Sequence, residues 1–216
     1  LKEAGVPYRV VDVDFDAVDE VAIDFGALGA WIWDSGAWTQ LTGSDLDALL
    51  AADVDGDGSV ELAADGGALG FWLWDGGAWT MLSGVNAEGM IAVPGPASAG
   101  LAADFGATGV WLYHLGAWTQ LAGANAEGLL ALNSDTDAAY ELGVDFGGIG
   151  VWLYNVGWTQ LTGFNAEAMA AADLDGDAVE ELAMDAGATG LWVWSGNWTQ
   201  LSALNPSAMS RANIDA

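Results

Sequence analysis

The chain has 216 residues, of which 31 are Asp or Glu and only three are Lys or Arg, for a formal net charge of −28. Lys2, Arg9 and Arg211 lie near the ends and no Lys or Arg stands between Arg9 and Arg211, which excludes the basic footprint of nucleic-acid binding and disfavours anionic membrane surfaces. There is no cysteine, hence neither disulfide nor thiolate metal site, and 53 % apolar residues are enough for a sizeable core.

Taken in chain order, the first predicted element is a strand at Val10–Asp14, and its type returns at Ala51–Val54, Ile91–Val93, Leu130–Leu132, Ala171–Leu174 and Ala212–Asp215. Between these copies runs a fixed phrase: a small or apolar residue, Trp, an aliphatic residue, then Trp or Tyr. Its lead Trp residues are Trp31, Trp72, Trp111, Trp152 and Trp192, spaced 41, 39, 41 and 40 apart. A fixed period near forty marks one supersecondary unit repeated. The units run over 9–49, 50–89, 90–128, 129–169 and 170–209, and 210–216 begins a sixth copy of the first strand.

The last unit shows the grammar. Glu181–Asp185 is a second strand, Ala186–Thr189 a turn and Gly190–Trp194 a third strand. Ser195-Gly196-Asn197 makes a tight hairpin, and Trp198–Leu201 is the fourth strand. Four short strands per forty residues, apolar on both faces, predict an all-β, five-bladed β-propeller forming a single domain. A solenoid of sheets is the runner-up. The density of glycine and the period-two patterning argue against helices. The uncharged stretch Phe146–Ala166 is one copy of the repeat, so it reads as strands and turns and not as a membrane span. The first twenty residues hold no compact apolar run, and no leader peptide is expected in them.

Acidic loops follow the first strands. Asp12, Asp14, Asp16 and Glu20 form one set; Asp53, Asp55, Asp57 and Glu61 a second; Asp173, Asp175, Asp177 and Glu181 a third. Asn133, Asp135, Asp137 and Glu141 form a weaker one. Oxygen ligands at loop positions 1, 3, 5 and 9 suit a hard cation, and Ca²⁺ tolerates their flexible geometry. Clustered carboxylates with no Lys or Arg near them in sequence call for such a counter-charge; solvated turns without an ion are the alternative. The third unit reads Val93-Pro94-Gly95-Pro96-Ala97-Ser98-Ala99-Gly100, has no carboxylate, and is expected to hold no metal.

These loops, best seen in Asp53-Val54-Asp55-Gly56-Asp57-Gly58-Ser59-Val60-Glu61-Leu62, resemble the calcium loops of FG-GAP and VCBS-type repeats, found in integrin α-subunit propellers and bacterial surface proteins. The Phe-Gly pairs Phe25-Gly26, Phe105-Gly106 and Phe146-Gly147 fit the same likeness. Glu at the ninth position, where Asp is common, and the shorter blades depart from it. The resemblance implies an extracellular or cell-surface propeller that binds Ca²⁺.

Other features admit two readings. Asp24, Asp65, Asp104, Asp145 and Asp185 recur in every unit, including the one that lost its loop. This suits bonding to backbone N–H groups at a turn, or a ring of carboxylates round a channel. Trp38, Trp79, Trp118, Trp158 and Trp198 are core residues or sugar-stacking platforms. Catalysis is not expected: the carboxylates follow the repeat, and the lone His114 occupies a hairpin position held by Asp34, Asp75, Asn155 and Ser195 elsewhere. The expected function is that of a calcium-binding structural or adhesion module, with divalent cations and a surface protein or glycan as partners. A carbohydrate-binding lectin is one alternative. The other is a filament or tandem-array subunit joined through its terminal strands.

Overall fold

The structure is a computed structural model that describes residues 9–14 and 19–211. Its strands form five four-stranded sheets, each an up-and-down meander in sequence order. Sheet 1 holds β1 (Arg9–Asp14), β2 (Asp19–Asp24), β3 (Ala30–Asp34) and β4 (Ala37–Thr42). Sheet 2 holds β5 (Ala48–Ala52), β6 (Glu61–Asp65), β7 (Phe71–Asp75) and β8 (Ala78–Ser83). Sheet 3 holds β9 (Gly89–Val93), β10 (Gly100–Asp104), β11 (Val110–His114) and β12 (Ala117–Ala122). Sheet 4 holds β13 (Gly128–Leu132), β14 (Glu141–Asp145), β15 (Val151–Asn155) and β16 (Gly157–Thr162). Sheet 5 holds β17 (Ala168–Ala172), β18 (Glu181–Asp185), β19 (Leu191–Trp194) and β20 (Trp198–Ser202).

The first strands differ from the sequence expectation in register. They begin two or three residues earlier at β5, β9, β13 and β17, and β5 and β17 stop before the loop aspartate. The cause is pairing: Ala48 faces Asp65 and Ala168 faces Asp185, so each first strand follows its partner's full length. The proposed sixth copy, Ala212–Asp215, lies outside the described residues.

The chain divides into two compact units, taken here over their described residues. One is Leu1–Ala92 with Ala97–Phe105 and Trp111–Thr119; the other is Val93–Pro96 with Gly106–Val110 and Gln120–Ala216. In the first unit β6 is buried along its whole length, and period-two alternation explains how. Leu62 and Ala64 pack with Ala22, Ile32 and Leu41 of sheet 1. Ala63 packs to the other side, with Leu101, Ala103 and Phe105. In the second unit Leu132, Val151 and Leu153 of sheet 4 pack with Leu182 and Met184 of sheet 5. β6 is thus apolar on both faces because a sheet packs on each side of it.

Between second and third strands sits a short 3-10 turn closed by a glycine at positive φ. Gly150 has φ 93°, and a Cβ there would run into the Thr162 carbonyl oxygen. The carbonyl of the turn's last residue is a double acceptor. The Ile149 oxygen takes the indole N–H of Trp152 at 3.4 Å and the side-chain amide of Gln160 at 2.9 Å. Trp192 and Gln200 do the same to Thr189 at 3.1 and 2.8 Å. The lead Trp and the Gln of the Trp-Thr-Gln phrase are therefore turn clamps.

Candidate metal loops and the contacts between sheets

Each of the three acidic loops within the described residues is first a folded turn. In loop 53–61, Asp53 accepts the N–H groups of Gly56 (2.7 Å) and Gly58 (3.2 Å) on its two oxygens. Asp55 accepts from Asp57 at 3.0 Å, and Asp57 from Ser59 at 2.7 Å. Loop 173–181 repeats this: Asp173 takes Gly176 (2.6 Å) and Ala178 (3.0 Å), Asp175 takes Asp177 (3.2 Å), and Asp177 takes Val179 (2.8 Å). In loop 133–141 Asp135 accepts from Asp137 at 2.8 Å and Asp137 from Ala139 at 2.7 Å. Short polar side chains bonding their own backbone two or three residues on are the physical reason this alternation makes a loop.

The ninth-position glutamates begin the second strands and are buried. Each turns one oxygen back to the loop: Glu61 Oε2 accepts the Val54 N–H at 2.6 Å and Glu181 Oε2 the Leu174 N–H at 2.7 Å. Glu141 Oε2 accepts both the N–H and the hydroxyl of Ser134, at 2.7 and 2.6 Å. Burial pushes the Glu61 carboxyl above its ordinary range, with repulsion from Asp55 and Asp53 adding to it; the Val54 N–H opposes the shift. Asp173 is exposed and held below its ordinary range, chiefly by the Gly176 N–H.

Ligand atoms come within 4.8 Å of one another in three groups: Asp53, Asp55 and Asp57; Asp135, Asp137 and Glu141; Asp173, Asp175 and Glu181. Two oxygens bound to one Ca²⁺ at about 2.4 Å each can be at most about 4.8 Å apart, so the spacing fits that ion. The donor set is all hard oxygen. Loop 133–141 adds a second sign: the Asn133 side-chain oxygen, at position 1, is buried and has no hydrogen-bond partner among the described residues. Glu61 and Asp177 fall outside these groups. Asp12 and Asp14 lie in β1, paired with Val21 and Asp19, so the first set starts within a strand. Their side chains, and Asp16 altogether, lie outside the described residues. Glu20 of that set is buried in β2.

The third loop, without carboxylates, is pinned differently. Ser98 is buried, and its hydroxyl lies 3.1 Å from Nε2 of His114. In sheet 4 the same hairpin position holds Asn155, which donates to Asp135 at 3.1 Å. The lone histidine thus ties a hairpin to its own loop. The recurrent aspartates do the turn bonding: Asp65, Asp145 and Asp185 accept the N–H groups of Gly67, Gly147 and Gly187 at 3.0, 3.0 and 2.9 Å.

The last-strand Trp residues reach across to the preceding sheet. Trp79 donates its indole N–H to the Leu41 carbonyl at 3.0 Å, and Trp118 to Leu82 at 3.0 Å. Trp158 donates to Leu121 at 2.9 Å and Trp198 to Leu161 at 2.8 Å. The register of the last two strands shifts beside Leu41, Leu82, Leu161 and Leu201, leaving each unpaired in its own ladder. Such a bulge frees a carbonyl for a partner. Among the described residues Trp38 makes no such bond; it is 45 % exposed and its ring lies against those of Phe25 and Trp33. These struts are not legible from residue spacing, because a repeated Trp reveals neither its acceptor nor a bulge.

A second link joins successive loops. The N–H of the residue just before a second strand donates to the carbonyl at the start of the loop before: Ala99 to Asp53 at 2.6 Å, Tyr140 to Pro94 at 3.0 Å, Glu180 to Asn133 at 2.6 Å. Arg211 closes on Glu180 at 2.6 Å.

No protein-family model matches the chain, and no curated protein does. Solved structures do. BBS1N in complex with ARL6DN matches over 87 % of this chain in two crystal structures, with TM-scores of 0.59 and 0.61 at 13 % and 12 % identity. The Vibrio cholerae biofilm matrix protein Bap1 matches over 89 %, with a TM-score of 0.55 at 20 % identity. This chain spans 63 % of the length of BBS1N and 38 % of Bap1. At these identities the likeness is one of fold, and it is to a propeller-type, all-β arrangement of repeated sheets. Among the described residues no helix is long and apolar enough to cross a membrane.

Proposed function

We propose that the chain is a non-catalytic, calcium-binding, five-bladed propeller-type interaction module of the FG-GAP/VCBS kind, working outside the cell or on its surface. The observation that carries the calcium reading is loop 133–141. Three carboxylates there bring ligand atoms within 4.8 Å, beside a buried Asn133 oxygen that lacks a partner. In this reading Asp135, Asp137 and Glu141 hold one ion, Asp53, Asp55 and Asp57 a second, and Asp173, Asp175 and Glu181 a third. Bound calcium supplies the counter-charge that the chain lacks. The interaction reading rests on the neighbours: one was crystallised with a protein partner and another is a biofilm matrix protein. Sugar stacking on the last-strand Trp residues draws less support, because four of the five indole N–H groups are spent on backbone carbonyls.

Titration calorimetry of chelator-stripped protein with Ca²⁺, then Mg²⁺, tests this. Three or more calcium sites with weaker magnesium binding are expected, because Mg²⁺ demands a tighter octahedron. No calcium heat and no change in melting would overturn the reading.

A further inference from the structure

The repeat carries an aromatic position that two sheets leave without a ring. Just after the second strand stand Phe25, Phe105 and Phe146 in sheets 1, 3 and 4, but Gly66 in sheet 2 and Ala186 in sheet 5. The backbone there does not change. Its φ and ψ are −99° and 22° at Phe25, −98° and 28° at Phe146, −94° and 19° at Gly66, and −100° and 30° at Ala186. Only the side chain differs. Where the ring is present it packs on the last-strand Trp of its own sheet: Phe25 on Trp38, Phe105 on Trp118 and Phe146 on Trp158, with centroids 5.7, 5.3 and 5.5 Å apart. Where it is absent there is a cavity. One of about 230 Å³ lies between sheets 1 and 2, lined among others by Gly66, Trp72, Trp79 and Thr42. One of about 290 Å³ lies between sheets 4 and 5, lined among others by Ala186, Trp192, Trp198 and Thr162. Each lies wholly within one compact unit.

We propose that both cavities bind a small uncharged aromatic molecule, whose ring takes the place of the absent phenyl group. The chain itself shows the occupant, because three other sheets put a phenyl ring against the same Trp from the same turn. The lead Trp adds a second indole face to each cavity, and ring pairs favour such edge and offset contacts. A cavity of about 150 Å³ with apolar walls is enough to take benzene, so a ring with one substituent has room here. A sugar suits the walls less: all four indole N–H groups are already given to carbonyls, those of Trp72, Trp79, Trp192 and Trp198 to Leu69, Leu41, Thr189 and Leu161. The charge of −28 works against an anion. No residue of the acidic loops takes part, so binding is the same with calcium or with chelator.

Equilibrium dialysis with phenol, beside thermal melts, tests it. The unmodified chain is expected to bind two phenols, each with a dissociation constant on the order of 1 mM, as suits one ring in an open-sided cavity. Benzoate is expected to bind several-fold more weakly. Ala186→Phe restores the ring and is expected to leave one site. Adding Gly66→Phe is expected to leave none; its new Cβ comes 3.1 Å from the Leu69 Cβ, so Leu69 gives way slightly. Phe146→Ala makes the opposite change and serves if a filled variant does not fold. It is expected to melt lower and to gain a third site, with phenol recovering part of the lost melting temperature. No binding to the unmodified chain at about 10 mM phenol, roughly ten times the expected constant, overturns the proposal. So does an unchanged stoichiometry in the doubly filled chain, a Phe146→Ala chain with no added site, or benzoate bound as well as phenol.

Discussion

Replacing the last-strand Trp with Phe at two places separates the strut from the ring. Trp158 packs on Phe146 and Tyr154 at 5.5 and 5.1 Å; Trp38 packs on Phe25 and Trp33 at 5.7 and 5.1 Å. The aromatic neighbours match. Two differences remain: Trp38 is the more exposed ring, and Trp158 makes a 2.9 Å bond to the Leu121 carbonyl with no counterpart at Trp38 among the described residues. Trp158→Phe removes that bond, worth about 1 kcal/mol net, and about 40 Å² of half-buried indole, worth about 1 kcal/mol more. Trp38→Phe loses no bond and mostly solvent-facing area, so about 0.5 kcal/mol or less is expected. For a chain of this size the gap of about 1.5 kcal/mol corresponds to roughly 3–6 °C in melting temperature. Urea unfolding at low protein concentration, followed by tryptophan fluorescence and circular dichroism, measures both. Trp118→Phe, in the same unit as Trp38 and bonded to Leu82 at 3.0 Å, should behave like Trp158→Phe. Equal losses at Trp38 and at both bonded positions would refute the claim that the indole bond holds adjacent sheets.

Three further outcomes are expected. Calcium at about a hundred times a site's dissociation constant should stabilise the fold by about 2.7 kcal/mol per site, and Asp135→Asn with Asp137→Asn should remove one site's share in a calcium-dependent melt while leaving the chelated melt little changed. Gly150→Ala should cost about 3 kcal/mol, since positive φ and a collision with the Thr162 carbonyl add, whereas Gly157→Ala, with open space at its Cβ, should be near neutral by urea titration. Burial raises the Asp145 carboxyl, with repulsion from Glu127 contributing, against the N–H groups of Ala166 and Gly147. A raised carboxyl contributes stability below its unfolded value and loses it as pH rises through its folded value, so in chelator Asp145 should add stability as pH falls through that raised value toward the ordinary carboxylate range, with a smaller slope in Asp145→Asn. The lowered Asp173 acts in the opposite sense and only at more acid pH.

The period, the strand order and the loops were readable from the sequence because each rests on local chemistry. Alternating Asp residues fold their own turns, and the strand phrase sets which side chains face which way. Sequence pattern alone starts these first strands two or three residues late because Asp47, Glu88, Glu127 and Glu167 look like loop residues. Their N–H groups in fact bond the second-strand carbonyls of Asp65, Asp104, Asp145 and Asp185, just ahead of the first strand. The roles of Gln160 and Trp158 could not be read, since both bond to carbonyls eleven or more residues away. Glu141 is legible in the sequence as a candidate ligand but not as the residue that fastens Ser134.

The loops of sheets 4 and 5 grip each other in both directions. Glu180 gives its N–H to the Asn133 carbonyl, and its side chain takes the Asn133 N–H at 3.0 Å while Arg211 holds the other oxygen. Residue 1 of one loop and residue 8 of the other are thus tied, so loosening either loop puts both hydrogen bonds at stake. Two ions taken up here would not titrate as strangers. The first would raise the affinity for the second, and by thermodynamic reciprocity the second for the first by the same factor. Below a threshold of calcium this part of the chain would slacken as a piece, giving it the response of a switch rather than of a dial.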